Sequence, residues 1–303
     1  MSPDPVAVLR AHGGHAPYHR LVEQTSRSQV RRAVRRGEVV PLGRGRYALA
    51  GSDAALVTAV ADGGALCRLS AAQHHGWGVV SAPSGTQVAV PTHAHRDAVT
   101  GHRRHYTDLH GDELRAGVTS PLRTVVDCAR HLPLHEALAV ADSALRARAV
   151  EHAELTEAAR SVRGPGSRNA RLVLARADDR AANAFESALR GHLLVAGIAS
   201  FVPQLVISEP GLLVVADLGD PDARVALEAD GYGVHGTRRA FAADLARHDE
   251  LQQAGWVTRR FAWEHVMRRP AWVVEQVRGA LLQRLVRRPP LRRKGLIQRR
   301  RAA

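Results

Sequence analysis

Apolar positions recur along the first fifty residues, first at helical and then at strand spacing. "DPVAVLRAHG" reads as a short amphipathic helix closed by Gly13 and Gly14, and "PYHRLVEQ" as a second, opened by a proline. In "SRSQVRRAVRRGE", Val30 and Val34 stand four apart, Ser26 or Ser28 offers an N-cap, and Gly37 stops a third helix. "VVPLGRGRYALA" then gives two short apolar strands about a Gly-Arg-Gly turn. Further on, "VTSPLRTVVDCARHLPLHEALAVADSALR" keeps helical spacing, with a natural cap at "TSP". The Gly- and Pro-bearing stretch "SVRGPGSR" (161–168) breaks the pattern. The remainder predicts a helix over "ANAFESALRGHLLVAG" and strands over "SFVPQLVI", "GLLVVADL" and "RVALEAD". A helix over "RRAFAADLARHDELQQAG", a strand over "WVTRRFAW" and a last helix after Pro270 complete the order.

These elements divide the chain into residues 1–51, 52–162 and 168–283, with a tail over 284–303. The fold class is multidomain α/β. Helix, turn, basic helix and hairpin make a winged helix-turn-helix; the middle domain is mainly helical; the last domain runs αβββαβ. The third helix presents Arg27, Ser28, Gln29, Arg31, Arg32 and Arg35 as candidate DNA contacts, with Arg44 and Arg46 on the wing, suited to phosphates and guanine edges. In the middle domain Asp142 reads as a surface partner of Arg146 four positions on. His74, His75 and Trp77 read as packing and turn residues.

Alternation along "RVALEAD" sets Glu228 and Asp230 on one face and Val225, Leu227 and Ala229 on the other. A turn centred on Pro221 and Asp222 places Asp217 opposite about residue 226, the parity of Glu228. Three carboxylates together repel unless protonated or bridged by a cation, and a hard oxygen-liganded ion resolves the conflict. Asp217, Glu228 and Asp230 are therefore candidate ligands for Mg²⁺ or Mn²⁺, with His235 as proton shuttle or leaving-group acid. Unrelated acids on a solvated sheet edge are the bland alternative.

Charge changes the picture. The chain of 303 residues carries a formal +14, and its last twenty residues hold nine basic residues and no acid. Such a balance predicts a polyanionic partner or an acidic membrane surface. Lys294 is the only lysine. Cys67 and Cys128 are too few for a disulfide framework or a thiolate zinc site. No stretch has the apolar length of a membrane span, and "MSPDP" does not read as a signal peptide, so a cytoplasmic protein with no membrane partner is expected.

Two resemblances follow from these motifs. "RLVEQTSRSQVRRAVRRGEVVPLGRGRYAL", "LCRLSAAQHHGWG" and the 119–146 stretch resemble the N-terminal half of the AbiEi family of type IV antitoxins. The family implies a DNA-binding repressor of its own promoter, with a separately encoded nucleotidyltransferase toxin as partner. "FESALR", "PQLVI", "VADLGDPDARVALEADGYGVHG", "FAADLARHDELQQAGW" and "RRFAWEHV" resemble the PD-(D/E)XK nuclease fold in its Vsr-like branch. That resemblance implies Asp217 and Glu228 as metal ligands and Asp230 in the slot of the superfamily lysine. It also implies roles for His235, for Glu186 as the first-helix acid, and for Asp244 and Arg247 on the second helix. Together they imply a Mg²⁺-dependent endodeoxyribonuclease delivered to DNA. The alternative is a noncatalytic antitoxin or autorepressor with a degenerate nuclease-fold domain; an RNA-directed nuclease is a third reading. Oligomeric state is not legible.

Overall fold

The structure, a computed structural model, describes residues 3–43, 45–94, 101–230 and 247–287. It is mixed α/β, with three small sheets among the described residues, and divides into two compact units, Met1–Gly197 and Ile198–Ala303.

The first unit opens with α1 (Pro5–Ala11), β1 (His15–Pro17), α2 (Tyr18–Gln24), α3 (Arg27–Arg35), β2 (Val39–Gly43) and β3 (Arg46–Leu49). Val8, Leu9, Leu21, Val30, Ala33 and Val39 close one small core. The hairpin gains a third strand, because β1 pairs antiparallel with β3. His15 ties this layer to the next: its Nε2 lies 3.0 Å from the Ala116 carbonyl.

The middle domain is mainly helical, as expected, with a small sheet that the sequence did not announce. Alongside α4 (Ala54–Ala61), α5 (Arg68–His74) and α6 (Gly111–Ala116) it holds a three-stranded sheet of β4 (Ala65–Leu66), β5 (Thr86–Val90) and β6 (His102–Tyr106), with β5 and β6 parallel. "TQVAV" alternates imperfectly and "HRRHY" has no apolar side, so neither gives a clear period-two signal. Helices α7 (Pro121–His131), α8 (Leu134–Arg146), α9 (His152–Ser161), α10 (Ser167–Arg176) and α11 (Ala184–Val195) follow. Ser120 caps α7 by accepting from Arg123 N. His75 packs as expected, stacked on Trp77 at 4.7 Å, whereas His74 is exposed and meets Asp53 at 3.1 Å.

The division between units falls at Gly197, past the 161–168 break. Helices α10 and α11 pack on α8, so residues 168–197 belong with the first unit. Asp142 explains why. It is fully buried, and its carboxylate receives Arg190 Nη2 at 2.8 and 2.9 Å and Asp178 N at 2.8 Å. The expected surface pair with Arg146 is not formed; Arg146 instead donates to the Ser143 hydroxyl and the Ala181 carbonyl. A buried charge needs a buried partner, and α11 supplies it.

The second unit comprises β7 (Val202–Glu209), β8 (Leu212–Asp220), β9 (Val225–Asp230), a helix over 247–253 (α12), β10 (Val257–Ala262), α13 (Trp263–Arg268) and α14 (Pro270–Arg287). The sheet order is β10-β9-β8-β7: an antiparallel meander, then β10 parallel to β9. The strands fall where the alternation set them. Among the described residues no helix is long and apolar enough to cross a membrane.

Candidate nucleic-acid interface and acidic cluster

Ser26 begins α3 with a reciprocal capping box. Its hydroxyl accepts from Gln29 N at 3.2 Å, and its own N–H donates to Gln29 Oε1 at 2.8 Å. Ser28, named above as a DNA contact, holds its hydroxyl 2.9 Å from that of Ser26. Gln29 and Ser28 thus serve the cap first; the Gln29 carboxamide keeps only its NH₂ to offer outward. Val30 and Ala33 face the core, which turns Arg27, Arg31, Arg32 and Arg35 to solvent. Among the described residues none of these four has an acidic partner; Arg36 alone approaches an acid, Glu38, at 4.0 Å. Arg46 is half-buried in the hairpin, and its desolvation lowers its pKa. Arg44 lies outside the described residues. A cleft of about 460 Å³ separates α3 from the hairpin, lined by Arg31, Arg35, Tyr18 and Tyr47, whose rings lie 5.6 Å apart.

In the second unit the β8–β9 ladder pairs Leu218 with Leu227 and Gly219 with Ala226. The register differs by two residues from that expected, since Ala226 meets Gly219 and not Asp217. Asp217 and Glu228 then flank the Leu218–Leu227 pair. Asp217 Oδ2 reaches across to accept from Ala229 N at 2.8 Å. Glu228 is 8% exposed, and its Oε1 is buried without a hydrogen-bond partner among the described residues. Its other oxygen meets Arg247 of α12 at 3.6 Å. Burial, then the charge of Asp217, pushes Glu228 up to about 8, although Arg247 and Arg260 pull the other way.

Asp230 stands apart from the pair. Arg260 donates to both its oxygens, Nε at 2.8 Å and Nη2 at 2.9 Å. Sequence reasoning missed Arg260. The signal lies in the parallel register, which sets Arg260 beside Glu228 and Ala262 beside Asp230; reading it requires knowing that β10 is the neighbour of β9. Glu186 is buried in the first unit and accepts from Ala182 N at 2.9 Å and Asn183 Nδ2 at 2.7 Å, steadying the start of α11. His235 and Asp244 lie outside the described residues.

Among the described residues no three His, Cys, Asp or Glu side chains gather into a group able to hold a metal ion. Asp230 therefore does not join Asp217 and Glu228. The remaining pair still fits a divalent cation of the Mg²⁺ type, which takes one or two protein carboxylates and completes its shell with water and phosphate oxygens. The orphaned Glu228 Oε1 beside a second carboxylate is the observation behind that fit.

No family model matches the chain. The uncharacterized proteins MT2308 and Rv2248 of Mycobacterium tuberculosis, from strains CDC 1551 and H37Rv, are each 31% identical over 163 residues. That match takes in 52% of this chain, and the chain spans 59% of the length of these relatives. The crystal structure of the RV2827C protein, also from M. tuberculosis, overlaps 68% of this chain and 88% of its own, at 16% identity and a TM-score of 0.29, too low to indicate a shared fold.

Proposed function

We propose that the protein binds double-stranded DNA through its first unit, as a winged helix-turn-helix with α3 in the major groove and the hairpin alongside. One observation carries this reading: Arg27, Arg31, Arg32 and Arg35 project from a single capped helix with no acidic partner among the described residues. Cations left unneutralised on one face are what a phosphate backbone recruits, and arginine also reads guanine edges bidentately. The AbiEi resemblance points the same way, toward a repressor acting on its own promoter with a nucleotidyltransferase toxin as partner. Binding of a duplex from that promoter tests the reading, compared with a scrambled duplex across salt. Replacing Arg31, Arg32 and Arg35 with alanine is expected to abolish discrimination between the two duplexes. It should also flatten the salt dependence by roughly 0.9 in logarithmic slope for each phosphate no longer neutralised. Unchanged affinity and slope in the triple variant would sink the proposal.

A second reading, phosphodiester hydrolysis by the second unit, is favoured by the unpartnered Glu228 oxygen next to Asp217. When bound, Mg²⁺ or Mn²⁺ supplies Lewis acidity and a nucleophilic water at neutral pH. Asp217 and Glu228 would hold it. Arg247 and Arg260 set positive charge beside the same position, where a phosphate arrives. Asp230, in the slot of the superfamily lysine, is engaged by Arg260 and orients that guanidinium rather than water. Plasmid and oligonucleotide cleavage with Mg²⁺ or Mn²⁺ decides the matter. Cutting that disappears in Asp217→Ala supports hydrolysis; no cutting of duplex, mismatched or single-stranded substrates leaves a noncatalytic DNA-binding regulator.

A further inference from the structure

We propose that a cavity of about 350 Å³ in the first unit, between the β4–α5 corner, the end of β6 and α7, binds a small phosphate ester of nucleotide size. Its lining shares no residue with α3 or with the acids of the second unit, and it stands whether or not either reading above holds.

The chain builds the corner with care. Cys67 N donates to Gln87 O at 3.0 Å, Leu69 N donates to Gln87 Oε1 at 3.0 Å, and Gln87 N donates to Ser70 Oγ at 2.9 Å. Clamped from both sides, Arg68 takes a φ of 50°, in the left-handed region that a branched or long L-residue avoids. Strain of that kind persists only where surrounding contacts over-determine it, and it collects at ligand sites. The guanidinium it positions has no hydrogen bond or ion pair among the described residues.

The other walls complete a receptor for an oxyanion. Arg130 lines the cavity, and its Nη2 donates to the Arg163 carbonyl at 2.8 Å; the other N–H donors of its guanidinium have no partner among the described residues. His105 lines the cavity with its Nε2 buried and without a partner among the described residues; burial, then the charge of Arg68, lowers it to about 4, so the ring adds no charge of its own. His131 stands at the rim, its Nδ1 2.9 Å from the Asp127 carbonyl. Two groups on the walls are potential anions, and Asp127 is the one that opposes a phosphate, since Arg123 also serves the buried Glu113 at 2.9 Å. The Asp127 carboxylate lies 3.5 Å from Arg123 Nε, and burial holds the Cys67 thiol neutral by pushing it up to about 12.

Two guanidinium groups suit a phosphate monoester, whose charge at neutral pH is about −1.5 to −2, better than a single carboxylate. At about 30 Å³ per water, the volume holds on the order of ten waters, room for a phosphate and one ring beside it. Tyr106 lines the same space and gives that ring an aromatic face.

The test uses the full chain and adenosine 5′-monophosphate as probe, with adenosine and inorganic phosphate as comparisons, read by calorimetry and thermal melting. Wild type is expected to bind the monophosphate at least about tenfold more tightly than adenosine, the worth of one charge-assisted contact. Arg68→Gly removes the side chain and frees the backbone, so it should melt no lower than wild type while failing to hold the ligand. Arg130→Gln, on a different element, should weaken binding by a similar factor, and Arg31→Gln should leave it unchanged. Inorganic phosphate that competes with the monophosphate supports the oxyanion seat. Adenosine binding equally well, or a monophosphate affinity that survives both Arg68→Gly and Arg130→Gln, overturns the proposal.

Discussion

His192 shows what a single buried ring does to stability. It sits on α11 with Nε2 buried and without a partner among the described residues, stacked at 4.2 Å on His135 of α8. Desolvation, then repulsion from His135, lowers it to about 4, and desolvation lowers His135 as well. His192 is therefore neutral in the fold near neutral pH, and both rings hold a proton less readily than in the unfolded chain, where the ordinary value is 6.5. Stability is fully present above that value and declines as pH falls below it, because the unfolded state then holds more protons. One such group contributes a slope of at most about 1.4 kcal/mol per pH unit. The melting temperature is expected to drop between about pH 7.5 and pH 5, and His192→Phe, which keeps the stack without the proton, should flatten the drop. Scanning calorimetry across that range checks it; equal slopes for both proteins would remove His192 as a cause.

The element scale is where α3 is decided. Nine residues give a helix too short to persist alone, so its register depends on Val30 and Ala33 inside and on the Ser26–Gln29 box at its start. Ser26→Ala is expected to cost about 1 kcal/mol, the usual worth of a capping side chain. DNA affinity should fall far less than in an Arg31→Ala variant, since the cap fixes the helix and the arginines meet the ligand. Urea unfolding and duplex titration of both variants separate the two effects. Much of this layer is legible in sequence because its signals are local: caps, Gly stops and a four-residue spacing. The strands β7 to β10 are legible for the same reason, as short apolar runs set off by the turns at 210–211, 221–224 and 254–255. What escapes is pairing between distant segments. The β4-β5-β6 sheet joins a two-residue strand to the polar "HRRHY", and Arg260 meets Asp230, thirty positions away, only through a parallel ladder. Asp217 and Glu228 are visible as neighbours because a tight turn links their strands, and even there the register shifts by two.

At the scale of the whole molecule the question is where one folding unit ends. The Gly-Pro stretch at 161–168 looks like a linker by composition, yet Asn169 Nδ2 beyond it donates to the carbonyls of Ala129 and Leu132 at 2.7 and 3.1 Å. Helix α11 then brings Arg190 to Asp142, and Gly191 passes so close to His135 that an added Cβ would lie 2.5 Å from its Cα. A protein ended at residue 167 would discard the cation of Asp142 together with α10 and α11, the helices that pack over α8. It would also uncover the apolar face that Val173, Leu174 and Leu189 help to fill. A protein of residues 1–197 retains all of these contacts. It is expected to unfold in one cooperative transition and to bind duplex DNA as the full chain does, apart from the contribution of the basic tail. The 1–167 protein should be molten or insoluble. Circular dichroism and urea titration of the two fragments distinguish the outcomes. A 1–167 fragment as stable as 1–197 would mean that α10 and α11 are accessories and that the composition break is the true boundary.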